Sequence, residues 1–301
     1  MFWFLIIHER KDPFVLEKGM LSFAFGSVVL ALLFYAGIGI EYEDDRVKIF
    51  GDNENLIGLR MSISMAILAV TIVQNRLNFG KLRYLLLIPI PIMLQLMVET
   101  GSRVAFISFA LVFVTGIVLF RTKKIIGKIL VLTAGTITSI ILWIQMIQSS
   151  TLIQRLLFIF EKRELGGRQL IWEELLPLIE SNPIFGVGKT GYYYFSQINF
   201  GLPTSPHNVV LEVLCYTGIV GSIIYLNFLY LILKKGYQKY KREGLLLPLL
   251  LLLPVLGMLV SGQILEVKMG WVIFAYIVGG SVLKQHQRQF AARHHEDDTP
   301  S

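Results

Sequence analysis

The chain has 301 residues, of which 54% are hydrophobic and only 16% are charged, with a formal net charge of +7 at pH 7. Soluble domains carry about 25% charged residues, so this composition, with a mean hydropathy of +0.63, excludes an ordinary soluble domain and indicates a membrane protein. The basic residues lie in short clusters between apolar runs, which argues against a nucleic-acid-binding surface and is typical of cytoplasmic loops.

Residues 1–18 are predicted to form a cytoplasmic N-terminal segment. Phe2–Ile7 is a short apolar run, and it is followed by charged residues without a small-residue cleavage site, so no signal peptide is predicted. A transmembrane helix needs about 20 largely apolar residues. Phe2–Ile7 is therefore too short to span a membrane.

The hydropathy pattern predicts an all-α integral membrane protein with about eight transmembrane helices. Five of them fall within residues 19–147 and three within residues 207–283, and a polar cytoplasmic tail covers residues 284–301. The predicted spans are Gly19–Ile40, Ile57–Gln74, Tyr84–Thr100, Val104–Phe120, Ile125–Ile147, Val209–Leu233, Leu245–Gly262 and Met269–Leu283.

The basic clusters orient these spans. Three short loops rich in Lys and Arg fall on one side if the eight spans alternate, and the positive-inside rule makes that side the cytoplasm. Both termini join it. The opposite side receives an acidic loop at 41–52, the turn at 101–103 and one long loop at 148–206, which is predicted to be extracytoplasmic.

The long loop is predicted to carry an interfacial amphipathic helix over residues 168–181, ended by Asn182 and Pro183. The simplest interpretation is a helix that lies on the membrane surface, with Trp172 at the interface. Its apolar residues have the spacing of a single helical face. They are Ile171, Leu175, Leu178 and Ile179.

A glycine-rich turn follows this helix. Gly186 and Gly188 allow tight turns and the close approach of a ligand. Ser205 and Pro206 are predicted to be the N-cap and the first helical residue of the sixth span. This assignment puts His207 in the first helical turn, at the outer surface of the membrane.

Arg103, Arg168 and His207 are predicted to lie on the same outer side. Taken singly, the two arginines can be interfacial side chains that reach lipid headgroups, and His207 can be a structural residue of a helix cap. Together they suggest chemistry, because two guanidiniums can bind a diphosphate through paired hydrogen bonds. A neighbouring imidazole can accept the proton of a hydroxyl near neutral pH.

Other polar residues of this region have two interpretations. Glu212 lies just inside the sixth span, where an ionisable group is a functional candidate, and a carboxylate solvated by the loop is an equal alternative. It shares a helical face with Asn208. Lys189 is better explained as a solvated side chain than as a phosphate ligand, and Cys215 as a small core residue. No spacing of residues builds a metal centre, so neither a metal nor a cofactor is expected.

The order of these short motifs resembles the O-antigen ligase and polymerase superfamily over roughly Asn53 to Leu283. The motifs share one membrane side, and each is short. They are Gly101-Ser102-Arg103, Gly167-Arg168-x-x-x-Trp172, Asn182-Pro183-x-x-Gly186-x-Gly188, Pro206-His207-Asn208 followed by Glu212, and Gly218-Ile-Val-Gly221.

The resemblance implies a metal-independent glycosyltransferase of the bacterial inner membrane with its active site facing the periplasm or exterior. The donor would be an oligosaccharide on undecaprenyl or a related polyprenyl diphosphate, and the acceptor a glycan or a lipid-A-core-type molecule. Arg103 and Arg168 would bind the donor diphosphate, and His207 would act as general base. The supporting residues would be Ser102, Trp172, Gly186, Gly188, Lys189, Asn208 and Glu212. Membrane lipids are the other expected partners, and no nucleic acid is expected.

The chain shows fewer spans than is usual for that family, and the missing ones would precede Gly19. Phe2–Ile7 would then be the stub of an upstream span, in a chain that is either a short variant or starts late. A membrane transporter or a flippase of lipid-linked glycans is the alternative function. Transporters tend to have paired repeats and helices broken at the midplane, and the two halves of this sequence show no repeat. Polymerase and ligase activities share one chemistry and differ in the acceptor, so both stay open.

Overall fold

The computed structural model describes residues 14–43, 46–119, 168–201, 204–261 and 267–279, together with the single positions 7, 144 and 265. These residues are mostly helical. The predicted span Ile125–Ile147, apart from Ile144, and the first part of the predicted outer loop lie outside the described residues.

The described residues form ten α-helices, one 3-10 helix and one antiparallel β-hairpin, in which Ile40 pairs with Ile49. In chain order they are α1 Val15–Tyr35, β1 Ile40–Glu43, β2 Arg46–Ile49, α2 Glu54–Gln74, the 3-10 helix Gly80–Leu87, α3 Ile90–Glu99, α4 Arg103–Leu119, α5 Arg168–Ser181, α6 Gly188–Phe200, α7 Val209–Glu243, α8 Leu246–Leu250, α9 Leu252–Ser261 and α10 Lys268–Gly279.

Four helical stretches are long and apolar enough to cross a membrane, which makes this chain a membrane protein. Three further apolar helices in the described part of the chain are shorter, so the count of eight spans stays a prediction. The four long stretches are Val15–Tyr35, Glu54–Gln74, Gly80–Glu99 and Val209–Glu243.

Helix α2 lies at the centre of the bundle and contacts α1, α3, α4 and α9. In its most apolar 18-residue stretch, 67% of the residues are buried, as expected for a helix that is surrounded by other helices. Met61, Ile63 and Leu68 are all fully buried. The main apolar core is therefore built around α2, and the surrounding helices are positioned against it.

Contacts between helix ends define the two ends of the bundle. The Gln74 side-chain amide donates to the Gly244 carbonyl at 2.7 Å, and the Tyr240 hydroxyl donates to the Leu119 carbonyl at 3.2 Å. The last turns of α2, α4 and α7 therefore meet at one end, which we call the Gln74 end. The β-hairpin, the α3–α4 turn and the start of α7 belong to the opposite end, which we call the Arg103 end.

Candidate functional site

Arg103 is the first residue of α4, and the turn that precedes it is packed closely against α2. Ser102 is buried, and its Oγ accepts a hydrogen bond from the Ala105 backbone N–H at 3.3 Å, which caps the helix. A Cβ on Gly58 of α2 would lie 2.8 Å from Thr100 Oγ1 and 2.8 Å from Ala105 Cβ. Helix α2 therefore fixes the position from which Arg103 extends.

A buried arginine that sequence analysis missed holds the same turn from the β-hairpin. Arg46 on β2 is only 7% exposed. Its Nε donates to the Thr100 carbonyl at 2.9 Å, its Nη2 donates to Asn55 Oδ1 at 3.0 Å, and its Nη1 lies 3.3 Å from Glu54 Oε1. In the sequence, this contact was indicated only by the polar residues 51–55 before α2. No spacing rule relates Arg46 to Thr100.

His207 lies before α7 and not in its first helical turn, so the predicted cap by Ser205 and Pro206 is wrong. Helix α7 begins at Val209, and Asn208 is its N-cap. The Asn208 Oδ1 accepts hydrogen bonds from the backbone N–H groups two and three residues further on, at 3.0 and 3.2 Å. Asparagine is among the strongest N-caps, which explains why the helix starts after it.

The His207 backbone is in the left-handed region, with a φ of 51°. Its N–H donates to Ser205 Oγ at 3.2 Å. Histidine is one of the few residues besides glycine that are enriched in this conformation. The Ser205 hydroxyl therefore supports the His207 turn and does not cap the helix.

Arg168, the first residue of α5, lies close enough to His207 to affect its ionisation. Burial lowers the pKa of His207 below its usual 6.5, and the positive charge of Arg168 lowers it further. Trp172, one turn further along α5, donates from Nε1 to the Pro206 carbonyl at 2.8 Å. The structure therefore brings Arg168, Trp172 and His207 together, while Arg103 is held at the same end of the bundle by α2 and β2.

Helices α5 and α6 form a helical hairpin that runs along the first half of α7. Its open end is joined to the His207 turn by the bond from Trp172 to Pro206 and by a bond of 3.2 Å from the Thr204 N–H to Ser196 Oγ. Its other end, residues 182–187, which we call the hairpin tip, contacts α7 ten residues beyond Asn208. The hairpin therefore lies alongside α7.

The hairpin tip fits into a break in α7 at Gly218, where φ is 62° and ψ is −163°. A Cβ on Gly218 would lie 2.2 Å from the Ile184 carbonyl oxygen, and one on Gly186 would lie 2.4 Å from the Cys215 carbonyl oxygen. Both glycines are therefore required by backbone-to-backbone contact. Two hydrogen bonds of 2.9 Å join the segments, from Val187 N to Cys215 O and from Ile219 N to Pro183 O.

The predicted helix over residues 168–181 is confirmed, its position at the membrane surface stays a prediction, and its apolar face packs against protein. Leu175 is fully buried and packs with Tyr192 of α6 and Cys215 of α7, so protein covers this face. Trp172 is half-buried and bonded to Pro206. Helix α6 was not predicted, because its glycines lower helix propensity and obscure its period.

The remaining predicted site residues have defined surroundings. Glu212 is only 1% exposed, so protein and not water surrounds its carboxylate. Burial is the main cause that raises the pKa of Tyr192, and charges that include Glu212 add to it. The exposed Lys189 places its Nζ 5.4 Å from the centre of the Tyr193 ring, which is a cation–π contact. Gly188 begins α6 with a φ of 71°.

The charges at this end of the bundle suit an anion. Arg103 and Arg168 contribute two guanidiniums, which match phosphate oxygens in geometry. Within the residues that the structure describes, no group of three or more His, Cys, Asp or Glu side chains could hold a metal ion. The binding of a phosphate group by the two arginines and proton transfer by His207 stay predictions.

One comparison with known proteins gives a match in this region. The family model described as O-antigen ligase matches residues 88–226. That range includes Arg103, Arg168 and His207, together with the contact between Gly186 and Gly218. No curated protein sequence matches the chain.

Proposed function

Residues 88–226 belong to the O-antigen ligase and polymerase superfamily, and on this premise we propose that the protein transfers a polyprenyl-diphosphate-linked oligosaccharide to an acceptor hydroxyl. Family membership supports a role in cell-surface glycan biosynthesis. The proposal adds the donor, the reaction and its location at the outer face of the inner membrane.

His207 is the general base of the proposed reaction. Its neutral imidazole takes the proton of the acceptor hydroxyl while the oxygen attacks the anomeric carbon of the donor sugar. The bond from that carbon to the diphosphate oxygen breaks, and its electron pair leaves with the diphosphate. Arg103 and Arg168 stabilise the leaving charge. Attack from the face opposite the diphosphate inverts the anomeric carbon.

The bond of 2.8 Å from Trp172 to the Pro206 carbonyl, which holds the start of α5 and Arg168 near the His207 turn, is the observation that carries this proposal. A base must be neutral before it acts, and both burial and the Arg168 charge lower the pKa of His207. A diphosphate bound to Arg168 would offset that positive charge. Donor binding would then raise the basicity of His207 and favour the imidazolium that forms during transfer. No divalent ion is needed for this step.

Donor binding and glycan transfer, measured side by side on purified full-length variants, test the proposal. His207→Ala should bind the lipid-linked donor normally and transfer it roughly a hundredfold more slowly, as expected for loss of a general base. Arg103→Ala and Arg168→Ala should weaken donor binding. Transfer by the unaltered protein should survive chelation of divalent ions.

Arg60→Ala is the matched control, since Arg60 is a partly exposed arginine of α2 that pairs with Asp52 at 3.0 Å near the same end. It should leave both donor binding and transfer unchanged. Normal transfer by His207→Ala, or normal donor binding by both site-arginine variants, would overturn the mechanism. The three residues would then be interfacial anchors.

The glycans of cells with and without the gene separate the two activities that share this chemistry. Accumulation of single carrier-linked repeats in the deletion strain identifies a polymerase. Accumulation of long carrier-linked chains beside an unmodified acceptor identifies a ligase. An unchanged profile contradicts both.

A further inference from the structure

The hairpin tip exposes apolar side chains that a water-facing loop would not be expected to present together. Ile184 is 55% exposed and Phe185 is 75% exposed. The exposed apolar surface continues on α7 after its break at Gly218, where Ile219 and Ile223 are 54% and 62% exposed. Since α7 is long and apolar enough to cross a membrane, its exposed apolar side chains are those that lipid would cover.

The length of α7 places its break below the membrane surface. The helix has 35 residues, or about 52 Å, whereas the hydrocarbon core of a bilayer is about 30 Å thick. Lys234 and Lys235 mark one boundary of the apolar part. About 20 residues counted back from Leu233 reach Leu214, which puts Gly218 about 6 Å inside the hydrocarbon.

Part of the backbone at the tip is bonded within the protein. A backbone polar group without a partner in hydrocarbon costs several kcal/mol, so such bonds favour insertion. The Pro183 and Ile184 carbonyls accept from the N–H groups just after the break in α7, and the Gly186 N–H donates to the Asn182 carbonyl at 3.1 Å. The irregular tip and the irregular break are therefore bonded to each other.

The exposed polar side chains of Ser181 and Asn182 bond locally to the end of α5. Ser181 Oγ donates to the Leu178 carbonyl at 2.9 Å, and Asn182 Nδ2 donates to Ser181 Oγ at 2.9 Å. The exposed Glu180 and Lys189 flank the tip on its two arms. Charged side chains prefer the headgroup region, so these two residues limit the depth to about one helical turn, in agreement with the position of Gly218.

We propose that the hairpin tip is inserted into the outer-leaflet acyl chains of the bilayer, where Ile184 and Phe185 contact lipid directly. The α5–α6 hairpin is then a re-entrant element. Its tip contacts the acyl chains, and its open end lies at Arg168 and His207. This inference does not depend on the proposed reaction, and its test measures no activity.

Spin labels at two positions of one hairpin test the insertion. Phe185→Cys and Asn199→Cys, each in a Cys215→Ala background, are labelled with a nitroxide in the full-length protein. The protein is then reconstituted in vesicles of phosphatidylethanolamine and phosphatidylglycerol. Asn199 is the matched control because it is exposed near the open end of the hairpin. Collisions of each label with dissolved oxygen and with a water-soluble nickel chelate are compared.

The label at Phe185 should collide several-fold more with oxygen than with the nickel chelate, and the label at Asn199 should show the reverse preference. Nickel access at Phe185 equal to that at Asn199 would place the tip in water and overturn the proposal. Low access to both reagents would mean that protein covers the tip, either residues 120–167 or a second copy of the chain, and would also overturn it. Ile184→Cys repeats the measurement if Phe185→Cys does not fold.

Discussion

His207 is kept neutral by two features that mutation can separate, its burial and the charge of Arg168. Arg168→Gln removes the charge and keeps a polar side chain of similar length. The pKa of His207 should rise towards its usual 6.5, because one of the two causes that lower it is gone. A base acts only when deprotonated, so transfer by the variant should fail at a higher pH than transfer by the unaltered protein.

The imidazole signals of histidine-labelled protein, followed by NMR as pH is lowered, give the pKa directly even where transfer is weak. The signal lost in His207→Gln identifies the residue. Arg60→Gln should leave its titration unchanged. An unaltered His207 titration in Arg168→Gln would show that the two side chains do not interact electrostatically.

Short motifs predicted that Arg168 and His207 lie on one side of the molecule, but not the backbone conformation of His207. Arg168 and His207 were chosen for their chemistry, and the structure brings them together. The cap was misassigned because Ser205-Pro206 fits the usual start of a helix, whereas Asn208, three residues after Ser205, accepts the capping hydrogen bonds. Arg46 was missed because its partner Thr100 is distant in the sequence, and only tertiary structure joins them.

At the scale of elements, the β-hairpin holds the turn before Arg103, because Arg46 of β2 donates a hydrogen bond to the Thr100 carbonyl in that turn. Arg46→Met leaves the Glu54 carboxylate, which is 6% exposed, without its cation. Breaking a buried ion pair in this way costs about 3–5 kcal/mol. The variant should melt at a lower temperature and bind the donor more weakly, because the Arg103 turn is no longer held.

The pair of Arg60 and Asp52 is the surface counterpart of this interaction, and Arg60→Ala should cost about 1 kcal/mol or less. Adding Glu54→Gln to Arg46→Met should recover part of the lost stability, since no uncompensated charge then stays buried. An Arg46→Met protein with unchanged melting temperature and donor affinity would show that the β-hairpin does not hold Arg103 in position.

Helix α5 was predictable from its apolar period, and the structure gives it the predicted limits, Arg168–Ser181. What covers its apolar face was not predictable, since periodicity identifies a face and not its partner. The helix was predicted to lie on the membrane surface because the sequence indicated no other partner for its apolar face. Helix α6 supplies the missing partner through Tyr192, which is fully buried.

For the whole molecule, the orientation in the membrane is the prediction that remains to be measured. Tyr42 on β1 is 70% exposed and belongs to the Arg103 end, whereas the exposed Lys241 belongs to the Gln74 end. In a Cys215→Ala background, an impermeant thiol reagent should label Tyr42→Cys in intact cells. It should label Lys241→Cys only after the membrane is opened. The reverse pattern would invert the topology.

Hydropathy predicted a helical membrane protein but not how its helices pack. The long helices follow from apolar runs, yet the first one spans Val15–Tyr35 rather than Gly19–Ile40, because the chain turns before β1. Helix α2 is central although its composition resembles that of its neighbours. Its contacts with α1, α3, α4 and α9, and the close packing of Gly58 against the α3–α4 turn, distinguish it from them.

The fit between Gly186 and Gly218 also imposes an order on biosynthesis. The hairpin tip leaves the ribosome before α7, so Pro183 and Ile184 emerge before the N–H groups of Ile219 and Val220 that their carbonyls accept. Until α7 has been integrated, those carbonyls need water as their partner. Entry of the tip into lipid is therefore a late, post-insertion step, and a nascent chain that stops short of Gly218 should hold the hairpin outside the bilayer.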